Sequence, residues 1–346
     1  MPDRPGSGER ALLLHIGLKR SCDEDEIQEF KALAASAGAE VVDEIEARRN
    51  RPTPKLFIGS GKAEELRERV EASCAELVLV NQPLSPSQER NLENLLKTRV
   101  LDRNGLILDI FAQRASTGDG KLQVELAQLR YRMPRLAQRA DLSLSRLAGG
   151  IGGRGPGETK LESDRRRVRE RITRLERDLS RLAKQRAGRR RKRERREVPV
   201  LSIVGYTNAG KSTLLRALTH SDVFIEDKMF ATLDPVSRRL RFPREREVII
   251  TDTVGFIRDL PADLVAAFHA TLEELSDASL LVHVVDASAE DVDRKVATVR
   301  RVLDELELGS KKELLVFNQI DRLPEATHIE LEQRYDCVAI SALRGD

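Results

Sequence analysis

The stretch VPVLSIVGYTNAGKS (198–212) is an apolar run that leads directly into a glycine-rich turn. The apolar run predicts a buried strand. The pattern G-x-x-x-x-G-K-S places Gly205 and Gly210 where backbone N–H groups can wrap a phosphate. Lys211 can then neutralise the β and γ phosphates, and the Ser212 hydroxyl is placed for Mg²⁺. Strand, turn and following helix predict an α/β domain with a mostly parallel sheet that binds a nucleoside triphosphate.

Two downstream motifs supply further partners for the phosphates. IITDTVGF (249–256) is a strand that ends in D-x-x-G, so Asp252 can hold Mg²⁺ through water and the Gly255 N–H can reach the γ phosphate. Thr232, in MFATLD (229–234), lies between the two motifs, where a loop threonine can close over the metal. Thr251 and Thr253 are rivals for that role.

Two last motifs select the base. NQID (318–321) and SAL (341–343) each follow an apolar strand, and an Asp at 321 accepts hydrogen bonds from guanine N1 and N2, which adenine does not supply. The order of the motifs predicts a GTPase with catalytic roles for Lys211, Thr232 and Gly255, and with Mg²⁺ on Ser212, Thr232 and, through water, Asp252. The predicted GTP contacts are Gly205, Tyr206, Thr207, Asn208, Ala209, Gly210, Lys211, Ser212, Thr213, Phe230, Ala231, Thr232, Leu233, Asp234, Asp252, Thr253, Val254, Gly255, Asn318, Gln319, Ile320, Asp321, Ser341, Ala342 and Leu343.

The middle of the chain is strongly basic. Residues 121–197 contain 25 basic and 10 acidic residues, a net charge of +15 against −12 for the remainder, which favours a polyanion such as RNA as partner. Apolar residues in 121–137 and in 161–184 recur with spacings of 4, 3, 4 and 3, which is typical of coiled-coil helices, with a break or kink expected at Pro134.

The glycine-rich LAGGIGGRGPGETK (147–160) separates these two helices, so the sequence predicts an antiparallel helical hairpin with a basic tip. Arg154, Arg165, Arg166 and Arg167 are the predicted RNA contacts. A solvated helix pair that only joins two domains is the alternative. The basic run 186–197 is either a helix end or a linker, and it contacts RNA or only solvent.

A second α/β pattern precedes the hairpin. Predicted strands at 11–18, 39–45, 55–58, 75–80 and 99–102 alternate with helices at 23–37, 61–73 and 86–97. GSGK (59–62) is either a phosphate site at a helix start or a tight turn. The predicted organisation is a disordered tail (1–10), an N-terminal α/β domain (11–115), a basic hairpin (116–197) with its tip at 148–157, and a G domain (198–346).

The content and spacing of cysteine, histidine and aromatic residues argue against several classes of protein and of binding site. Cys22, Cys74 and Cys337 are too far apart for a disulfide framework or a zinc site, and the five histidines lack metal-like spacing. His283 is predicted to be a core residue, whereas a role for His269 stays open. With no Trp and 3% aromatic residues, base-stacking platforms are not expected. No signal peptide or membrane span is predicted, so we expect a cytoplasmic protein. We also expect a monomer.

The chain resembles the HflX family, ribosome-associated GTPases of the Obg–HflX group in the translation-factor class. The resemblance is carried by FIGSGKAEEL (57–66), LSPSQERNLE (84–93), RVLDRNGLILDIFAQRA (99–115), GKLQVELAQLRY (120–131), GGIGGRGPGETKLESDRRR (149–167), GYTNAGKSTL (205–214), FATLD (230–234) and DTVGFIRDLP (252–261). It implies binding to the large (50S) ribosomal subunit and its rRNA, with splitting or rescue of stalled ribosomes under stress. It also implies GTP hydrolysis that the ribosome stimulates, and association with ribosomes or the membrane periphery.

Three features depart from the usual pattern. Phe256 follows the D-x-x-G motif where Ras-like enzymes carry a glutamine that orients water, so slow intrinsic hydrolysis is expected. Gln319 replaces the usual lysine of the fourth motif, which predicts weaker nucleotide affinity. The chain stops at Asp346, so we expect a G domain shortened at its C-terminus.

Two other functions remain open. One is an ATP-dependent kinase or RNA-remodelling ATPase, against which NQID and SAL argue. The other is an RNA-binding or ribosome-maturation factor that uses GTP or ATP mainly as a structural switch, which Phe256 and the early C-terminus favour.

Overall fold

A computed structural model describes residues 8–147, 160–194, 198–219, 229–242, 246–258 and 275–346. The chain forms two compact units. The first unit contains residues up to Gln113 together with Val124–Arg177, and the second contains Arg114–Gln123 together with Asp178–Asp346. None of the helices within the described residues is both long and apolar enough to cross a membrane.

A four-stranded, fully parallel sheet in the order β2-β1-β3-β4 forms the centre of the first unit. Its strands are β1 (Arg10–Leu18), β2 (Glu40–Arg49), β3 (Leu77–Val80) and β4 (Arg99–Asp102). Its helices are α1 (Glu24–Ser36), α2 (Ser60–Ser73), α3 (Pro86–Leu96) and α4 (Arg103–Arg114). The strand–helix alternation predicted for this region is therefore confirmed, and β1 and β3 are buried on both faces, as parallel strands covered by helices must be.

Local capping sets where the helices of this unit begin. Asp23 and Glu26 form a capping box at the start of α1, and Ser85 and Gln88 form another at the start of α3. Pro86 occupies the first turn of α3, where its missing N–H has no intrahelical partner to lose. These caps fix the register with which the apolar faces of the helices reach the sheet.

The strand predicted at 55–58 is wrong, because these residues form a tight turn. Thr53 and Phe57 bond each other's backbone at 2.9 and 3.0 Å, and the left-handed φ of 66° at Phe57 prevents an extended run. Gly59 then caps α2 without a side-chain hydrogen bond. The Arg49 guanidinium fills the space that a Cβ on Gly59 would need.

Two long helices, α5 (Gly118–Leu147) and α6 (Lys160–Glu194), form the helical middle. Within the first unit, Arg171 donates two 2.7 Å hydrogen bonds to Glu125, and Arg130 pairs with Glu176 at 2.8 Å. α6 continues through residues 186–194, so most of the basic run is helical. The predicted tip 148–157, including Arg154, lies outside the described residues.

The sequence predicts a break or kink at Pro134, and the break does not occur, because α5 is continuous through this residue. A proline inside a helix removes one backbone donor and leaves carbonyl groups of the preceding turn without partners. The Arg135 Nη1 group donates to the Tyr131 carbonyl at 3.0 Å and so supplies a donor within that turn.

The second unit is built on a six-stranded sheet in the order β10-β9-β8-β5-β7-β6, parallel except for the β6–β7 pair. Its strands are β5 (Val200–Gly205), β6 (Val236–Phe242), β7 (Arg246–Asp252), β8 (Leu280–Asp286), β9 (Glu313–Asn318) and β10 (Cys337–Ala339). Its helices are α7 (Lys211–Thr219), α8 (Val292–Glu305) and α9 (Glu325–Arg334). β5, which carries the glycine-rich turn, therefore lies between β7 and β8, away from both edges.

A buried carboxylate joins α5 to the sheet of the first unit. Asp102 is 1% exposed at the end of β4 and accepts hydrogen bonds from the Gly105 N–H (2.8 Å), the Leu84 N–H (2.9 Å) and the Tyr131 hydroxyl (2.7 Å). The Arg135 guanidinium bonds the same carboxylate at 3.2 Å and stacks 3.5 Å above the Tyr131 ring. One carboxylate therefore fixes β4, the start of α4 and the middle of α5.

We expect Asp102→Ala to lower the free energy of unfolding of this unit by about 3–5 kcal/mol, because several buried donors lose their acceptor and Arg135 keeps only Glu89 as a carboxylate partner among the described residues. Asp43→Ala, which removes a partly exposed carboxylate paired with Arg69, should cost at most about 1 kcal/mol. Native-state hydrogen exchange of the β1 amides measures both values. Equal, small losses in the two variants would show that the Asp102 network does not stabilise this unit.

Candidate functional site

At the two ends of the turn between β5 and α7, the neighbouring atoms leave no space for any residue larger than glycine. Gly205 has φ +153°, and a Cβ there would lie 2.2 Å from the Val284 carbonyl oxygen. Gly210 has φ +88°, and a Cβ there would lie 2.1 Å from Nδ2 of Asn318. The close packing holds the turn against β8 and β9, so its backbone N–H groups keep a fixed arrangement at the start of α7.

Lys211 begins α7 and is buried, with its Nζ donating a 2.7 Å hydrogen bond to the Tyr206 carbonyl. Burial lowers the pKa of Lys211 to about 8, although the negative charge of Asp252 opposes this shift. A phosphate that entered the turn would replace the carbonyl as partner and favour the ammonium form.

The three side chains predicted to hold Mg²⁺ lie together. The Ser212 hydroxyl lies 2.6 Å from Oδ2 of Asp252, to which it donates, and 2.8 Å from the Thr232 hydroxyl. Burial raises the pKa of Asp252, against the opposing effects of Lys211 and of hydrogen bonds from Ser212 and Thr232. The buried Oδ1 of Asp252 has no hydrogen-bond partner among the described residues.

This donor set fits a magnesium ion. Hydroxyl and carboxylate oxygens are ligands that Mg²⁺ accepts, and it usually completes its shell with water and substrate phosphates. Among the described residues, no group of three or more His, Cys, Asp or Glu side chains is arranged for a metal. Any magnesium here would therefore depend on the nucleotide phosphates for part of its coordination.

The alternatives to Thr232 use their hydroxyl groups elsewhere. The Thr253 hydroxyl donates to the Ile203 carbonyl at 2.7 Å, and the Thr251 hydroxyl bonds Ser237 at 2.9 Å. Both threonines belong to or follow β7, whereas Thr232 lies in the loop that precedes β6. Thr232 is thus the threonine of the three that contacts Ser212.

The fourth and fifth motifs form a continuous polar network beside the turn. Asn318 is 3% exposed; its Nδ2 donates to the Ala209 carbonyl and its Oδ1 accepts from the Ala342 N–H, both at 2.9 Å. Gln319 donates to the Asn208 carbonyl at 3.1 Å. The Ser341 hydroxyl donates to Asp321 at 2.7 Å, and this bond lowers the pKa of Asp321, which therefore stays ionised.

These elements line one cavity of about 530 Å³. Its wall contains the predicted contacts Thr207, Asn208, Gly210, Lys211, Ser212, Thr213, Phe230, Ala231, Thr232, Thr253, Gly255, Asn318, Gln319, Asp321 and Leu343. Asp286 and Arg322 also line it and were not predicted. Asp286 is the last residue of the apolar strand β8, so the rule that parallel sheets bind ligands at their carboxyl ends could have found it.

The remaining predicted contacts do not line the cavity. Those of them that belong to the same motifs are Gly205, Tyr206, Ala209, Leu233, Asp252, Val254, Ile320, Ser341 and Ala342. Asp234 also lies outside the cavity wall, and its carboxylate bonds Ser116 and Thr117 instead.

Gly255 and Phe256 join the D-x-x-G loop to the glycine-rich turn. The Phe256 N–H donates to the Gly205 carbonyl at 3.0 Å, and the Thr207 N–H donates to the Phe256 carbonyl at 2.8 Å. A Cβ on Gly255 would lie 3.0 Å from the Lys211 Nζ and 2.8 Å from the Thr207 Cγ2. The Phe256 ring is 1% exposed, so this side chain cannot orient a water molecule in the cavity.

Three of the four predicted RNA contacts are described. Arg166 and Arg167 are exposed and pair weakly with Glu170 and Asp164 at 3.7 and 3.8 Å, while Arg165 is half-buried. Exposed pairs of this kind contribute little to stability, so a polyanion could displace them at small cost. His269 lies outside the described residues, and His283 is 1% exposed and bonds Glu313 at 2.6 Å, which suits a core residue.

Three family models of GTPase regions match successive parts of the chain. Family models match in sequence order: "GTP-binding GTPase N-terminal" over residues 24–112, "GTP-binding GTPase Middle Region" over 114–193 and "50S ribosome-binding GTPase" over 200–319.

Two relatives are similar over most of their length. GTPase HflX of Escherichia coli (strain K12) is 51% identical over 325 residues, which cover 94% of this chain and 76% of the relative. GTPase HflX of Caldanaerobacter subterraneus subsp. tengcongensis is 52% identical over 315 residues, which cover 91% and 73%.

Among solved structures, a GTP-binding protein from the hyperthermophilic archaeon Sulfolobus solfataricus in complex with GDP is similar with a TM-score of 0.52. It is 24% identical, and the match covers 97% of this chain and 94% of that one. At this identity the similarity shows a shared fold.

The pKa of Lys211 predicts how nucleotide affinity depends on pH. The ammonium form is present below about pH 8 in the free protein, and phosphate binding raises the pKa, so affinity is full below pH 8 and falls above it. Between pH 7 and 9 the affinity for labelled GDP, measured without divalent metal, should fall about tenfold. Lys211→Arg should show weaker but pH-independent binding. A flat profile in the native chain would contradict the prediction.

The role of Asp321 predicts a change in base preference. Asp321→Asn replaces an acceptor pair by one donor and one acceptor, which matches xanthine better than guanine. We expect GDP affinity to fall by about 2–3 kcal/mol, the size of a charge-assisted hydrogen bond, and xanthosine diphosphate affinity to rise. Competition against labelled GDP measures both. Asp291→Asn serves as the matched control and should leave the base preference unchanged. An unchanged preference for guanine in Asp321→Asn would mean that other residues recognise the base.

Proposed function

The chain belongs to the HflX family of GTPases and hydrolyses GTP, and from this we propose that its nucleotide state controls binding to the large ribosomal subunit. The observation that carries the proposal is the combination of a guanine-nucleotide site with a helical middle of net charge +15 in one chain. The matched description "50S ribosome-binding GTPase" supports the choice of the large subunit.

The site residues would act mainly by positioning charge. Lys211 would release the Tyr206 carbonyl and bind the β and γ phosphates, and the Gly255 N–H would bond the γ phosphate. Magnesium, held by Ser212 and Thr232 and through water by Asp252, would neutralise charge that develops on the phosphates. Asp321 would accept from the guanine base, with Ser341 holding its carboxylate in place.

Position 256 carries a phenylalanine where Ras-like enzymes have the glutamine that orients the attacking water. Because the Phe256 ring is buried and apolar, intrinsic hydrolysis should be slow. We infer that the ribosome completes the catalytic arrangement. Hydrolysis then determines how long the protein stays bound: the GTP form binds the subunit, and hydrolysis releases it.

The basic helices would supply RNA affinity through phosphate neutralisation. Arg166 and Arg167 are exposed on α6, and Arg165 beside them is half-buried. All three adjoin the glycine-rich segment, so they and Arg154 are the contacts that we propose. On a ribosome this arrangement would act on stalled or stressed particles in the cytoplasm, by splitting or rescuing them. A ribosome-maturation role that uses GTP as a structural switch is the second candidate, which the apolar Phe256 favours.

The proposal predicts salt-dependent binding to large subunits. We expect co-sedimentation with purified large subunits in the presence of a non-hydrolysable GTP analogue, and weaker binding with GDP. The variant R165Q/R166Q/R167Q should reduce the slope of log affinity against log salt by about 2–3, since each lost phosphate contact removes nearly one unit.

The matched control R174Q/R177Q/R181Q removes the same charge from exposed positions farther along α6 and should change the slope by less than about 1. Equal slopes for the two triple variants would locate the RNA contact elsewhere. Binding to small subunits with equal affinity would contradict the choice of partner.

A further inference from the structure

Asp234 makes a dense set of hydrogen bonds within the second unit. Its Oδ2 accepts from the Ser116 N–H (2.8 Å), the Ser116 hydroxyl (2.7 Å) and the Thr117 N–H (2.8 Å). Its Oδ1 accepts from the Thr117 hydroxyl at 2.5 Å. Ser116 and Thr117 immediately precede Gly118, the first residue of α5, so a residue of the nucleotide loop holds the start of this helix.

The start of α5 is shaped to receive this carboxylate. A Cβ on Gly120 would lie 2.1 Å from Oδ1 of Asp234, so a larger residue there would displace it. The positive end of a helix also favours a negative charge at this place. Burial opposes ionisation of Asp234, but the hydrogen bonds from Thr117 and Ser116 outweigh it and keep the pKa below its ordinary value.

The same short segment reaches the proposed metal site. Thr232, two residues before Asp234, has its hydroxyl 2.8 Å from that of Ser212, and Leu233 between them is 2% exposed. Two residues span about 7 Å at most, so the segment has little slack. A displacement of Thr232 is therefore transmitted to Asp234.

We propose that Asp234 is a positioning residue that couples occupancy of the nucleotide site at Thr232 to the start of helix α5. With a γ phosphate and metal in place, Thr232 is held inward and Asp234 stays on Ser116 and Thr117. After hydrolysis the loop loses its attachment at Thr232, and the bonds to the helix start weaken.

The inference deepens the proposed function, on which its ribosomal consequence rests. α5 runs without a break from Gly118 to Leu147 and leads to the basic glycine-rich segment. Coupling between two sites is reciprocal for binding free energies, so a partner that fixes α5 would favour GTP by the same factor that GTP favours the partner.

Hydrogen exchange of residues 118–123 tests this coupling without any ribosome. In the native chain with Mg²⁺, we expect exchange at the start of α5 to be about tenfold slower with a non-hydrolysable GTP analogue than with GDP, equivalent to one or two hydrogen bonds. Asp234→Ala should abolish the difference, because it removes both carboxylate oxygens that accept from Ser116 and Thr117. Asp291→Ala, at the start of α8 with no capping bond, should keep it.

Labelled-GDP binding identifies any variant that fails to fold. If Asp234→Ala does not bind GDP, Ser116→Ala, which removes one hydroxyl donor to Asp234, decides the matter through a partial loss of the difference. A native chain without nucleotide-dependent exchange, or an Asp234→Ala variant that retains it, would overturn the inference. Because no ribosome is present, failure of large-subunit binding would be a separate result.

Discussion

The carboxylate of Asp252 is fully buried at the end of β7, and the nucleotide site is arranged around the need to stabilise it. A buried charge is costly unless an opposite charge and hydrogen-bond donors compensate it. Lys211 supplies the charge, and the Ser212 hydroxyl donates a hydrogen bond at 2.6 Å. Both residues belong to the start of α7, so the turn before this helix must place that start beside Asp252. Only glycine fits at positions 205 and 210, because the turn packs there against β8 and β9. The loop before β6 then places Thr232 against the same group.

A second buried carboxylate plays a comparable part in the first unit. Asp102 holds the middle of α5 through Tyr131 and Arg135, and Asp234 holds the beginning of the same helix in the second unit. α5 is thus attached at two places by carboxylates that accept several hydrogen bonds each. If Asp234 responds to the nucleotide as we propose, the attachment at Asp102 is constant, whereas the attachment at Asp234 varies. This difference would allow a change of one phosphate to alter how the basic helical middle is held.

Much of the fold and of the nucleotide site could be predicted from the sequence, because the motifs that define them are short and continuous in the chain. The run from Val198 to Ser212 defines strand, turn and helix within 15 residues, and the fourth motif follows its own apolar strand. The error at 55–58 arose because Phe57 adopts a left-handed conformation that its apolar neighbours do not reveal. The bond between Asp234 and Thr117 joins residues 117 positions apart, and no periodicity marks such a pair. The break predicted at Pro134 does not occur, because α5 continues through this residue.

We propose that this site hydrolyses GTP slowly alone and rapidly on its ribosomal partner. The decisive measurement is GTP turnover with and without purified large ribosomal subunits, alongside Lys211→Ala. We expect strong stimulation by large subunits, little by small subunits, and loss of turnover in Lys211→Ala, which removes the cation from the phosphates. Equal turnover with and without large subunits would contradict a role for the ribosome in completing a site where Phe256 cannot orient water.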